Sequence, residues 1–161
     1  ADLVGADNGF RVTPESPYPS LDDLSELLAY HEDNSMDFST TSGLPDGSFY
    51  EVIRTSALKR SWDEGGEKYR NEGCSRYIFD NQALFRTISH EVPEPLRRAA
   101  DIRLTVDWPE DLIVIRGAYE GCGLSPEADT SLFDVVRFLD EHPKLNAVNN
   151  WIDSGVGRIW Y

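Results

Sequence analysis

The sequence predicts an α+β fold: a single compact domain built on a mainly antiparallel sheet with several short helices. Three observations lead there. Residues 102–115 alternate between apolar and polar and then run apolar, as two strands joined by a tight turn would. Amphipathic helical stretches lie on either side, at residues 21–30 and 132–139. Helical and strand-like segments are interspersed, without the regular alternation of a doubly wound parallel sheet. The 161 residues, 40% hydrophobic and 27% charged, suit one domain that buries a core without a metal or disulfide staple.

Residues 1–19, with Pro14, Pro17 and Pro19, read as an irregular arm, and residues 20–161 as the globular domain. Ser20 is placed to cap a helix running to about Tyr30, with Asp23 returning the bond and Leu21, Leu24, Leu27 and Leu28 on one face. His31 to Gly47 is polar and turn-rich. Phe49 to Arg54 reads as a strand, Ala57 to Lys68 as a helix weakened by Gly65-Gly66, and Arg76 to Asp80 as a short strand. Pro93 opens a helix to Ala100. Ile102, Leu104, Val106 and Trp108 then alternate with polar residues. Trp108-Pro109-Glu110-Asp111 supplies a turn, and Leu112-Ile113-Val114-Ile115 forms an interior strand. Ser131 caps a second helix, whose face is Leu132, Phe133, Val135, Val136 and Leu139 and which Pro143 stops. Lys144 to Ile152 reads as a short helix, and Gly157 to Tyr161 as a closing strand. The tryptophans, Trp62, Trp108, Trp151 and Trp160, are expected mainly as core anchors.

Charge is the strongest bias. Asp and Glu number 29 against 15 Lys and Arg, a net charge of −14. Eleven acids and a single base, Arg11, fall between Ala1 and Glu51, so the first third carries −10; the remaining 110 residues carry −4. Such a field repels nucleic-acid backbones and anionic lipid and attracts basic proteins. No apolar run reaches the ~18 residues of a membrane span, and no basic-plus-apolar leader stands at the start, so a soluble chain, cytoplasmic or secreted after processing, is expected. Cys74 and Cys122 both follow glycine; whether they pair is left open. With no CxxC and no third sulfur, no metal site is predicted.

Neither His31-Glu32-Asp33 nor Ser89-His90-Glu91 makes a local catalytic set, because adjacent side chains diverge. No GxSxG, P-loop or GxGxxG occurs. One dispersed pattern has a mechanism: Phe10-Arg11, then Phe38-Ser39-Thr40-Thr41-Ser42, then Glu91-Val92. In this order the residues resemble the arginine, STS and glutamate signature of mono-ADP-ribosyltransferase toxins. The resemblance implies Arg11 on the NAD phosphates, Ser39 shaping the nicotinamide pocket and Glu91 stabilising the oxocarbenium-like centre, with NAD as substrate of a transferase or NAD glycohydrolase.

The leading expectation from charge, size and lack of motifs is a protein-binding module rather than an enzyme, with no cofactor. Asp22, Asp23, Glu26, Glu32, Asp33 and Asp37 would form a carboxylate surface that mimics phosphates and neutralises a basic partner, as an inhibitor or immunity-type protein does to a toxin or nuclease. The ADP-ribosyltransferase is the alternative. Oligomeric state is left open.

Overall fold

A computed structural model describes residues 5–71, 73–125 and 131–152. The sheet has four strands: β1 (Asn8–Arg11), β2 (Phe38–Ser42), β3 (Glu51–Arg54) and β4 (Thr87–Glu91). Their order is β1-β3-β2-β4. β1 and β2 each pair antiparallel with β3, while β2 and β4 are parallel. Two of the three pairings are antiparallel, so the α+β class with a mainly antiparallel sheet holds. The helices are α1 (Leu24–Asp33), α2 (Thr55–Gly65), α3 (Arg76–Asp80), α4 (Pro109–Gly121), α5 (Leu132–Glu141) and α6 (Pro143–Asn146).

Both faces of the sheet are covered, and alternation along β3 shows how. Val52 points to one side and packs with Leu27 of α1 and Tyr50. Ile53 points to the other and packs with Phe38, Ala57 of α2, Ile78 of α3 and Phe85. The largest core lies elsewhere. Tyr18, Leu44 and Val92, from the segments following β1, β2 and β4, meet Leu96, Ile102 and Leu104 and the buried faces of α4 and α5. The protein therefore builds its main apolar mass at one end of the sheet, where the strand-following loops converge.

Several expectations need correction. Residues 102–115 are not a hairpin. Residues 102–106 form no sheet strand; they are held by an isolated bridge between Asp46 and Arg103 and by the bond from the Val106 amide to the Glu15 carbonyl. Leu112–Ile115 belongs to α4. Pro109 stands in its first turn, Asp111 Oδ2 accepts the Trp108 amide, and Asp111, Val114, Ile115 and Ala118 fall on its buried face. Arg76–Asp80 is helical, and the segment from Pro93 shortens to a single 3-10 turn at Glu94–Leu96. Ser20 does not cap α1; its amide donates to the Ser48 carbonyl, and the helix starts at Leu24. Residues 8–11 of the segment read as an irregular arm form β1. The polar stretch after α1 contains β2. Ser131 does cap α5, accepting from the Phe133 amide at 3.2 Å. Trp62, Trp108 and Trp151 are exposed rather than core, Trp62 lying under the Arg70 guanidinium. Cys74 and Cys122 are free thiols. The strand expected at 157–161 lies outside the described residues. No helix among the described residues is long and apolar enough to cross a membrane.

Candidate functional site

β1, β2 and β4 run in one direction and β3 in the other, so three strand ends and one strand start share an edge. In sheets with parallel strands, ligand sites form outside the carboxyl ends, where the connecting loops splay apart. That edge here carries two polar clusters.

The first is on the sheet itself. Arg11, the last residue of β1, is opposite Glu51, the first of β3. Glu51 is 2% exposed, and its carboxylate accepts from Arg11 Nη1 at 2.9 Å and from Ser75 Oγ at 2.8 Å. A buried carboxylate is tolerated only with such partners.

The second lies in the loops. After β1 the chain turns at Pro14-Glu15, and the Glu15 carbonyl accepts the Val106 amide at 2.9 Å. This bond ties the loop after β1 to the extended segment that carries Arg103, Thr105 and Asp107. Asp46, from the β2–β3 loop, reaches the same segment. Gly47 makes the approach possible: its φ is +85°, and a Cβ there would stand 2.4 Å from the Thr105 amide nitrogen.

Arg103, 5% exposed, is the centre of this cluster. Its Nη1 donates to Asp46 at 2.6 Å, its Nη2 to Asp107 at 2.6 Å, and its Nε to Asp111 at 2.9 Å. Asp111 is fully buried and also accepts from the amides of Asp107 and Trp108, each at 3.0 Å, and from Asn149 Nδ2 at 2.9 Å. Burial alone would push its carboxyl up. The Arg103 bond, the two amides and Asn149 outweigh it and hold the group below the usual carboxylate range. Asp107 is the member that reaches solvent, with half of its side-chain area exposed.

A further polar group sits toward the other end. His31 is buried on α1; its Nδ1 and Ser39 Oγ share a bond of 2.8 Å, and its Nε2 lies 3.2 Å from Asn8 Oδ1. Burial, reinforced by Arg54, lowers its pKa against the smaller opposing pull of Glu32 and Asp37.

The residues singled out from sequence are scattered across this frame. Arg11 and Glu91 end strands at opposite edges of the sheet, three strand spacings or ~14 Å apart. Glu91 is 76% exposed and paired with Arg97, and Ser39 is sealed beneath His31. Four of the six acids proposed as a contact surface take part in hydrogen bonds within the fold. Asp22 accepts from Ser131 Oγ and the Leu132 amide, Asp23 from the Tyr50 hydroxyl, Glu32 from Asn8 Nδ2, and Asp37 from the Arg86 amide. The other two, Glu26 and Asp33, are exposed with no such bond among the described residues. The sequence reading does not single out Glu15, Glu51, Arg103, Asp107 or Asp111 as site residues. A signal for the last two lies in the sequence: Pro109-Glu110-Asp111 is a helix start, which puts the preceding Asp107 at a junction rather than in a hairpin turn.

The sequence model of the cytidylyltransferase family matches residues 10–142. The chain belongs to the cytidylyltransferase family. The match runs from within β1 through α5 and takes in both clusters at the sheet edge apart from Asn149. The chain is 29% identical over 140 residues to an uncharacterised protein of Methanocaldococcus jannaschii, covering 87% of this chain and 56% of the relative. It is also 29% identical over 134 residues to the spore coat polysaccharide biosynthesis protein SpsF of Bacillus subtilis, covering 83% and 55%. The chain thus spans a little over half the length of these curated relatives. A solved cytidylyltransferase from Leptospira borgpetersenii shares the fold, with a TM-score of 0.79 at 21% identity over 94% of this chain and 63% of that one.

Membership in this family overturns the resemblance to ADP-ribosyltransferase toxins and, with it, NAD as substrate. It equally overturns the inhibitor or immunity-type reading and the expectation of a non-enzymatic module. The arginine of that pattern lies on β1, three strands from the glutamate on β4, although β2 and β4 are paired neighbours. Part of the acidic bias goes into cross-links between elements, as at Asp22, Asp23, Asp37 and Asp46.

Proposed function

We propose that this chain takes part in transferring a cytidylyl group from CTP to an oxygen of a carbohydrate-type acceptor. The acceptor hydroxyl, or a phosphate oxygen, attacks the α-phosphorus of CTP; the bond to pyrophosphate breaks, and pyrophosphate leaves. A hydroxyl acceptor gives up its proton to a base or to solvent. Family membership over residues 10–142 supports the reaction class. The spore coat polysaccharide relative supports the acceptor class.

One observation on the chain carries the assignment of place: a carboxylate, Asp107, is held half-exposed at the carboxyl edge of the sheet by a buried arginine. CTP arrives as its magnesium complex, and magnesium on a nucleotide takes one or two protein carboxylates together with phosphate oxygens. Asp107 is the first carboxylate suited to this, and Glu15, half-buried on the loop bonded to Val106, the second. Arg11, fixed against Glu51, supplies a guanidinium at the same edge.

The test is pyrophosphate release from CTP with a panel of sugar phosphates and sugar acids, compared with UTP, ATP and GTP. We expect release with CTP that depends on an acceptor and falls about 100-fold or more in Asp107→Asn, the scale of a lost transition-state contact. Equal use of all four nucleotides, or full activity in Asp107→Asn, refutes the reading.

A further inference from the structure

Arg103 makes more ion pairs than folding requires. Asp46 and Asp111 are its largely buried partners, and Asp111 by itself accepts from both Nε and Nη2. Either of them neutralises the guanidinium. Asp107 adds a further carboxylate. Its side chain is half exposed and would be well hydrated if released, so holding it stabilises the fold little. Bringing it against two other carboxylates adds repulsion. Yet Asp107 Oδ2 is fixed, by Arg103 Nη2 at 2.6 Å and by Thr105 Oγ1 at 3.3 Å. Its other oxygen, Oδ1, has no hydrogen-bond partner among the described residues.

We propose that Arg103, assisted by Thr105, is a positioning residue for cytidylyl transfer: it commits one oxygen of Asp107 and leaves the other set in advance for magnesium–CTP. The inference rests on the cytidylyltransferase reading above. Fixing a ligand from behind removes the ordering cost from the binding step, and outer partners of this kind commonly set cation affinity by 10–100-fold. Arg103 itself is fixed from three sides: by Asp46 across the Gly47 turn, by Asp111 at the start of α4, and through Asp111 by Asn149.

The experiment compares the whole chain with Arg103→Lys, Thr105→Val, Asp107→Asn and the double variant Arg103→Lys/Asp107→Asn. Two quantities are read: the magnesium concentration giving half-maximal cytidylyl transfer, and the calorimetric affinity for a non-transferable CTP analogue loaded with magnesium. The urea midpoint accompanies both. We expect Arg103→Lys to raise the magnesium requirement and weaken analogue binding about tenfold, and Thr105→Val to do so severalfold. The double variant should be no worse than Asp107→Asn, because Arg103 acts through Asp107. Additive losses in the double variant overturn the proposal. So does an Arg103→Lys protein whose urea midpoint falls while its magnesium requirement stays put, since that marks a purely structural residue. If Arg103→Lys does not fold, Thr105→Val decides, and an unchanged requirement there overturns it. A wild-type chain that neither transfers nor binds the analogue refutes the cytidylyltransferase reading, and this proposal falls with it.

Discussion

Asp111→Ala is the most informative perturbation of stability. The carboxylate is fully buried and accepts from Arg103 Nε and Nη2, from the Asp107 and Trp108 amides, and from Asn149 Nδ2. Truncation leaves a buried guanidinium short of a partner, which costs about 3–5 kcal/mol where only one side of a pair is removed. It also frees the amide that Asp111 returns to at the start of α4, a loss of about 1 kcal/mol for a helix cap. These losses share atoms and do not add. The working expectation is about 4 kcal/mol, a large part of the ~5–15 kcal/mol that holds a domain together. For a chain of this size that lowers the thermal midpoint by roughly 8–16 °C. Asp111→Asn keeps the shape and an acceptor for the amides but turns an amino group toward Arg103; about 2–3 kcal/mol is expected. Urea unfolding followed by tryptophan fluorescence and by circular dichroism measures both. A loss below about 1 kcal/mol in the alanine variant would sink the argument, because it would mean the cluster is solvated and Arg103 needs no buried anion.

Two other outcomes follow from the same geometry. His31 is neutral in its buried site and its pKa is lowered chiefly by burial, whereas in the unfolded chain it titrates near 6.5. The unfolded state therefore takes up a proton that the folded state resists, so stability falls as pH drops from about 6.5 toward the folded pKa and is fully present above that window. Urea midpoints between pH 8 and 5 should decline in the wild type and stay flatter in His31→Gln; parallel curves would rule out His31 as the source. Gly47→Ala places a methyl group 2.4 Å from the Thr105 nitrogen in a backbone of positive φ. A loss of 2 kcal/mol or more is expected from strain and displacement of the 103–105 segment, and a melting temperature within 2 °C of wild type would contradict the close approach.

How much of this was legible varies by element, for physical reasons. α5 reads directly from its sequence because its apolar residues recur at helical spacing behind a serine cap. β3 is legible from its Val-Ile pair. β2 is not: Phe-Ser-Thr-Thr-Ser looks like a loop, yet it is a central, buried strand. Its hydroxyls are accepted there because Ser39 meets His31 and Thr40 donates to the Tyr50 carbonyl, partners that only the fold supplies. α4 misleads in the opposite way. Leu-Ile-Val-Ile has strong β propensity, but Pro109 and Asp111 start a helix and burial of Val114, Ile115 and Ala118 sustains it, so packing overrides propensity. The candidate site was hidden for a related reason. Its polar groups come from positions 46, 103, 107, 111 and 149, and no local pattern marks an arginine that aspartates on three different segments will enclose.

The span of that enclosure bears on how the chain is made. Asn149 donates to both the Arg103 carbonyl and Asp111. On the ribosome it is synthesised well after the four-stranded sheet and α4. A nascent chain that has already paired its strands still holds Arg103 and Asp111 with one side of their enclosure missing. The segment around α6 is then a late keystone: its docking supplies the Asn149 bonds that complete the polar cluster. Any condition that slows this docking lengthens the time during which a finished sheet carries an unfinished charge cluster at its edge.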